Sequence, residues 1–133
     1  MFVILLPVKK LLITGGAGFI GANFVHYIRR NYPDYKLTVV DNITYAGDKD
    51  RLRDVLEVIT FVQADICDET VMDSLVKDSD WVVHFAAETH VDRSIANPGP
   101  FLATNILGTE VLARLSVKHK VKRFHHVSTD EVF

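Results

Sequence analysis

Short apolar runs and longer amphipathic stretches alternate along this chain. Lys10-Leu-Leu-Ile-Thr14, Leu37-Thr-Val-Val40, Thr60-Phe-Val-Gln63, Trp81-Val-Val-His-Phe85 and Arg123 to Val127 read as strands. Between them the spacing predicts helices over about 19–31, over 49–57, from Asp68 as cap through Val71, Leu75 and Val76, and over about 100–119. The last of these follows a turn at Asn97-Pro-Gly-Pro100. Phe19, Ile20, Phe24 and Ile28 are spaced to face inward from the first helix, as are Leu52, Val55 and Leu56 from the second. Near-continuous apolar strands separated by helices are the pattern of βαβ units, with helices covering both faces of a parallel sheet. Right-handed crossovers then order the five strands 3-2-1-4-5. In such an α/β doubly wound sheet a ligand sits where the order reverses, beyond the carboxyl ends of strands one and four.

Composition narrows the picture. The chain has 133 residues, 48% apolar and 24% charged, with a net charge of −2. That suits one globular domain and points to neither a nucleic-acid nor a membrane-surface partner. The single cysteine, Cys67, has no internal disulfide partner, so a reducing, cytoplasmic setting is expected. Cys67 itself reads as a small residue at the end of a strand. The apolar run Met1 to Leu6 before Pro7 is far shorter than the ~20 residues of a membrane span. It also lacks the basic start and cleavage site of a secretory signal. It reads as a short extension into the first strand.

The candidate chemistry lies at the predicted strand ends. Thr14-Gly-Gly-Ala-Gly-Phe-Ile-Gly21 carries Gly16, Gly18 and Gly21 at G-x-G-x-x-G spacing and Gly15, Gly18 and Gly21 at G-x-x-G-x-x-G spacing. Glycine permits the tight turn, lets the backbone approach a pyrophosphate, and lets helix and strand pack closely. Free N–H groups and the positive end of the helix dipole hold the phosphates. Asp41 lies 20 residues beyond Gly21, at the end of strand two. There it can accept hydrogen bonds from ribose hydroxyls and repel a 2′-phosphate, which selects NAD over NADP. The whole is a Rossmann dinucleotide-binding pattern. Asp65 suits either an adenine contact or the start of the next helix. Phe85-Ala-Ala87 suits either a flat cofactor against the backbone or ordinary tight packing. His84 is expected in a strand–helix interface, and His125 and His126 on opposite faces of strand five. His84, His90 and Asp92 follow no zinc spacing, so no metal is expected.

Several segments recur in a narrower order: Thr14–Gly21, Asp41-Asn-Ile-Thr-Tyr-Ala-Gly47, Ala64-Asp-Ile-Cys-Asp68, His84-Phe-Ala-Ala-Glu-Thr-His-Val-Asp-Arg-Ser94, Thr104-Asn105 and Ser128-Thr-Asp-Glu-Val132. Together they closely resemble the dTDP-glucose 4,6-dehydratase family of extended short-chain dehydrogenases/reductases, over nearly the whole chain after residue 8. The resemblance implies tightly held NAD, oxidation of the sugar at carbon 4, loss of water across carbons 5 and 6, and reduction at carbon 6. It implies Asp130 as acid, Glu131 as base, and Thr129 bonded to the carbon 4 hydroxyl. Phe19, Ile20, Asp41, Asn42, Ile43, Thr44, Asp65, Ile66, Phe85, Ala86, Ala87, Glu88, Thr89 and Thr104 would line NAD beside Gly15, Gly18 and Gly21. Thr89 would also reach the dTDP-glucose substrate. Phe133 stands where the family usually has tyrosine, and Thr89 where it often has serine. The resemblance further implies a homodimer at full length.

Two features of that family are missing from this sequence: the Tyr-x-x-x-Lys pair and the smaller substrate-binding domain. Residues 1–133 therefore read as a partial NAD-binding domain, truncated before the last strands and inactive alone. Two other readings compete. A nucleotide-sugar 4-epimerase shares the glycine turn and the oxidation step but has no use for Asp130-Glu131. A non-catalytic NAD-binding module would need neither.

Overall fold

The structure is a computed structural model that describes residues 9–129. The expectations for Met1 to Pro7 and for Asp130, Glu131 and Phe133 lie outside the described residues. Five parallel strands form one sheet in the order β3-β2-β1-β4-β5, as the crossover argument predicts. They are β1 (Lys10–Thr14), β2 (Lys36–Asp41), β3 (Thr60–Gln63), β4 (Trp81–His84) and β5 (Arg123–His126). Thr14 pairs with Val40 on one side and His84 on the other, so β1, β2 and β4 end level with one another.

Successive side chains of a strand point to opposite faces, and this splits the core in two. Leu11, Ile13, Leu37 and Val39 pack against Val25 and Ile28 of α1 (Phe19–Asn31) and against Leu52 and Val55. Leu12, Val40 and Val82 face the other way, onto Met72 and Val76 of α2 (Glu69–Lys77) and Leu112 and Leu115 of α5 (Thr109–Lys118). Asp68 caps α2 as expected, its carboxylate accepting the Val71 N–H at 3.1 Å.

Three local expectations change. The buried face of α1 is Gly21, Ala22, Val25 and Ile28, with Phe24 half-buried beside it, whereas Phe19 and Ile20 are 74% and 64% exposed. A Cβ on Gly21 would collide with the Gly15 carbonyl oxygen, so that helix position is pressed against the turn. Phe19, two residues earlier, is thereby rotated to nearly the opposite side of a 3.6-residue turn. The second helix, Lys49–Val58, is a 3-10 helix. Its buried residues Leu52 and Val55 stand three apart, which matches a period of three. The long helix runs without a break over 99–118, but as three segments: α4 (Gly99–Phe101), a π-helical turn (Leu102–Gly108) and α5. A further short helix, α3 (Val91–Ala96), was not foreseen. None of its residues is buried and its N-cap His90 makes no side-chain bond, so it leaves little signal in the sequence.

Two adjoining clefts at the strand ends

Gly15 leaves β1 with φ +69, and a Cβ there would lie 2.5 Å from the Ala86 amide nitrogen. Glycine is thus required both for the left-handed turn and for the approach of two strand ends. Gly18 differs. A Cβ there would meet only the Gly15 carbonyl oxygen, at 3.2 Å, so the bare backbone keeps open the space ahead of α1. Gly18 is the N-cap of α1 and supplies no side-chain cap, and the first helical bond runs from the Ala22 N–H to the Gly18 carbonyl. The amides of Phe19 to Gly21 precede that bond and point out of the helix start. This is the arrangement that receives a phosphate.

Asp41 ends β2 and reaches back to that turn. One carboxylate oxygen accepts the Ala17 N–H and the other the Ile43 N–H, each at 2.9 Å. Ile43 has φ +53, a conformation that a β-branched residue rarely adopts, so the second bond holds a strained backbone in place. A carboxylate has about four acceptor positions, which leaves capacity for a ribose hydroxyl beside the two amides.

Around these groups lies an open cleft. Twelve expected residues line it: Gly15, Gly18, Asp41, Asn42, Thr44, Asp65, Ile66, Phe85, Ala86, Ala87, Glu88 and Thr104. Phe19, Ile20, Gly21, Ile43 and Thr89 are not on its wall. Phe19 and Ile20 stand exposed at the start of α1, and Gly21 and Ile43 act through their backbone. Asp65 belongs to the start of the next helix and also reaches the cleft. Its carboxylate accepts the Cys67 N–H at 2.8 Å in the turn before α2 and the Asn42 amide at 3.1 Å. Cys67 therefore lies in that turn, and its thiol donates to the Ala103 carbonyl at 3.3 Å. Burial is the main cause that raises the pKa of this thiol, so it is held as the less nucleophilic form. Phe85 and Ala86 likewise serve packing and cleft together.

A second cleft, about 410 Å³, shares Ala86, Ala87 and Glu88 with the first and is lined further by Thr89, His126, Ser128 and Thr129. The two threonines expected to meet substrate thus face one space, which opens off the first. The sequence reading missed Val40, Ala46, Gly47 and Ala64 on the first wall and His126 on the second. Small residues and backbone supply most of these positions, and they carry no signature of their own. Asn105 holds the shared segment: its amide accepts the Glu88 N–H at 2.8 Å and donates to the Glu88 carbonyl at 2.9 Å. The π-helical turn places Thr104 on one cleft and Asn105 on the other.

Behind both clefts His84 is buried as expected, between strand and helix. Its Nδ1 lies 2.7 Å from Thr14 Oγ1 and its Nε2 3.0 Å from Thr109 Oγ1. His126 packs against it at a tilt, with ring centroids 5.0 Å apart, while His125 lines the opposite face of the sheet. Burial, aided by His126, lowers the His84 pKa to about 4. Unfolding returns it to about 6.5, so the unfolded chain takes up the proton first as pH falls. The neutral imidazole contributes its full stability above pH 6.5, and that contribution shrinks toward pH 4, by about 3 kcal/mol in all. We expect thermal midpoints to fall over that window more steeply for the natural protein than for a His84→Asn variant. Parallel pH profiles of the two would contradict the assignment.

Among the described residues no helix is long and apolar enough to cross a membrane. Residues 11–133 match the NAD dependent epimerase/dehydratase family. A dTDP-glucose 4,6-dehydratase of Mycobacterium tuberculosis (strain ATCC 25618 / H37Rv) is 53% identical over 124 residues, which are 93% of this chain and 37% of that protein. One from Streptomyces antibioticus is 51% identical over 93% of this chain and 38% of its own length. Among solved structures, DesIV (dTDP-glucose 4,6-dehydratase) from Streptomyces venezuelae with NAD and TYD bound superposes with a TM-score of 0.87 at 45% identity, covering 92% of this chain and 40% of that one. A UDP-glucose 4-epimerase from Thermotoga maritima with UDP-glucose reaches 0.81 at 35% identity, over 90% and 38%. The chain thus spans about two-fifths of the length of such relatives. The matched glycine turn, parallel sheet and strand-end clefts make this chain a member of the NAD dependent epimerase/dehydratase family.

Proposed function

We propose that this chain is the NAD-binding portion of a nucleotide-sugar 4,6-dehydratase acting on dTDP-glucose. The observation that carries the reading is the convergence of the glycine turn, Asp41 and Phe85 to Ala87 on one cleft that opens into a second lined by Thr89 and Thr129. A dinucleotide fits the first: amides at the start of α1 for its phosphates, Asp41 for a ribose, and small residues for its flat rings. Bound there, NAD supplies a hydride acceptor for carbon 4 and a hydride donor for carbon 6. The remaining work falls to side chains. Thr129 hydrogen-bonds the carbon 4 hydroxyl, whose proton must pass to a base outside residues 1–133, and Thr89 contacts the sugar from across the cleft. Once carbon 4 is a ketone, the hydrogen on carbon 5 is acidic enough for a carboxylate to remove. Glu131 takes that proton and Asp130 gives one to the departing carbon 6 hydroxyl, two roles that require unequal pKa values. On this reading residues 1–133 are the cofactor unit, and the nucleotide end of the substrate is held by chain outside this span. The functional form is a homodimer in a cytoplasmic setting.

The sequence relatives support dehydration over epimerisation, since the nucleotide-sugar epimerase matched by structure is less similar, at 35% identity, than the dehydratases at 53% and 51%. The test is to give the full-length natural protein NAD and dTDP-glucose and weigh the product. We expect dTDP-4-keto-6-deoxyglucose, lighter than the substrate by one water. A sugar of unchanged mass with inverted carbon 4 would establish the epimerase reading, and no uptake of NAD would remove both.

A further inference from the structure

We propose that the stack of Arg93 on Tyr45 is a clamp across the outer side of the cofactor cleft, and that it slows release of the dinucleotide. The inference rests on the NAD reading above. Tyr45 sits between Thr44 and Ala46, which line the cleft from the β2 side. Arg93 belongs to α3, which follows Glu88 on the β4 side of the same cleft. Its guanidinium carbon lies 4.1 Å from the Tyr45 ring centroid, and His90 meets the same ring edge-on at 6.3 Å. The stack therefore joins the two walls from outside, and neither Tyr45 nor Arg93 lines the cleft itself. They are positioning residues.

The other bonds of the 42–48 loop lead elsewhere. The Asp48 N–H donates to the Ala17 carbonyl at 3.0 Å, and Arg51 donates to the carbonyls of Ala17 and Ala46 at 2.9 and 2.7 Å. Those bonds fasten the loop to the glycine turn and the 3-10 helix. Asn42 reaches Asp65 on the β3 side. The β4 wall is fixed separately, by Asn105 on Glu88. Arg93 on the face of Tyr45, with His90 at its edge, spans from one wall to the other.

Such a clamp suits the proposed reaction. The same dinucleotide must accept a hydride and later return it to the same sugar, so its departure between the two steps would strand the substrate as a ketone. Tyr45 is 48% exposed, which places the cation–π attraction in its weaker range. Loss of the stack should then speed release roughly two- to five-fold.

The experiment measures the NAD release rate of the full-length natural protein and of Tyr45→Leu, Arg93→Met, the double variant and Tyr45→Phe. Both residues are surface groups, and melting curves identify any variant that fails to fold. We expect the two single variants to release faster, the double to match either single, and Tyr45→Phe, which keeps the aromatic face, to behave as the natural protein. Unchanged release in the singles, additive effects in the double, or a Tyr45→Phe variant as fast as Tyr45→Leu would each overturn the clamp while leaving the function intact. If the natural protein takes up no NAD, the functional reading fails and the clamp with it.

Discussion

Replacing Gly15 with alanine is expected to damage both folding and cofactor binding, whereas the same change at Gly18 should damage binding alone. At Gly15 the left-handed backbone costs an L-residue about 1–2 kcal/mol. The new methyl would also lie 2.5–2.7 Å from backbone atoms of Ala86 and Phe85, which cannot swing aside as a flexible side chain could. Overpacking of this kind costs about 1–3 kcal/mol, so a total near 3 kcal/mol and a melting point lower by roughly 10 °C are expected. At Gly18 the backbone is extended, φ −70 and ψ 169, and the methyl meets one carbonyl oxygen at 3.2 Å. Alanine is a poorer N-cap than glycine, but the change should stay within about 1 kcal/mol. What it loses is the space in front of the α1 amides. One or two hydrogen bonds to a charged phosphate correspond to roughly ten- to hundred-fold weaker NAD binding. Calorimetric melting and NAD titration of the two variants separate the effects. Equal loss of stability in both would contradict the assigned roles of the glycines.

In the full-length natural protein, Glu131→Gln is expected to leave NAD affinity within about twofold and, if Glu131 has the proposed role of general base, to reduce dehydration roughly a hundred- to ten-thousand-fold. Glutamine keeps the shape and hydrogen-bonding reach of the side chain but cannot accept the carbon 5 proton. Thr129, two residues earlier, lines the second cleft, which puts the start of this motif at the proposed substrate side. Oxidation at carbon 4 does not need Glu131, so the variant should still reduce its cofactor when the sugar is added, without loss of water. A variant that dehydrates at the natural rate would remove Glu131 from the mechanism.

Much of this site was legible because it depends on groups with few alternatives. A glycine turn between an apolar strand and a helix, followed by an aspartate at the next strand end, leaves little freedom, and Gly15, Gly18 and Asp41 meet in one cleft. The strand order followed from handedness. Orientation within an element was harder. The spacing of Phe19 and Ile20 fits an inward face, yet the close contact of Gly21 with Gly15 sets the rotation of α1, and glycine adds nothing to an apolar pattern. The stretch 49–58 shows an i, i+3 pair that α- and 3-10 helices share, so apolar spacing could not separate them. The bond pair between Asn105 and Glu88 is another limit. It joins residues 17 apart through backbone atoms, which no side-chain pattern reports.

Asp41 has a second duty that bears on any attempt to redesign its preference. The acid that would read the ribose also neutralises two main-chain donors, at Ala17 and Ile43, and keeps Ile43 in its unfavourable rotation. Exchanging it for a small or basic residue to admit a 2′-phosphate would strip those donors of their acceptor. Coenzyme selectivity here is therefore coupled to the integrity of the scaffold, and a switch needs at least one compensating change, such as relief of position 43 by a residue tolerant of positive φ.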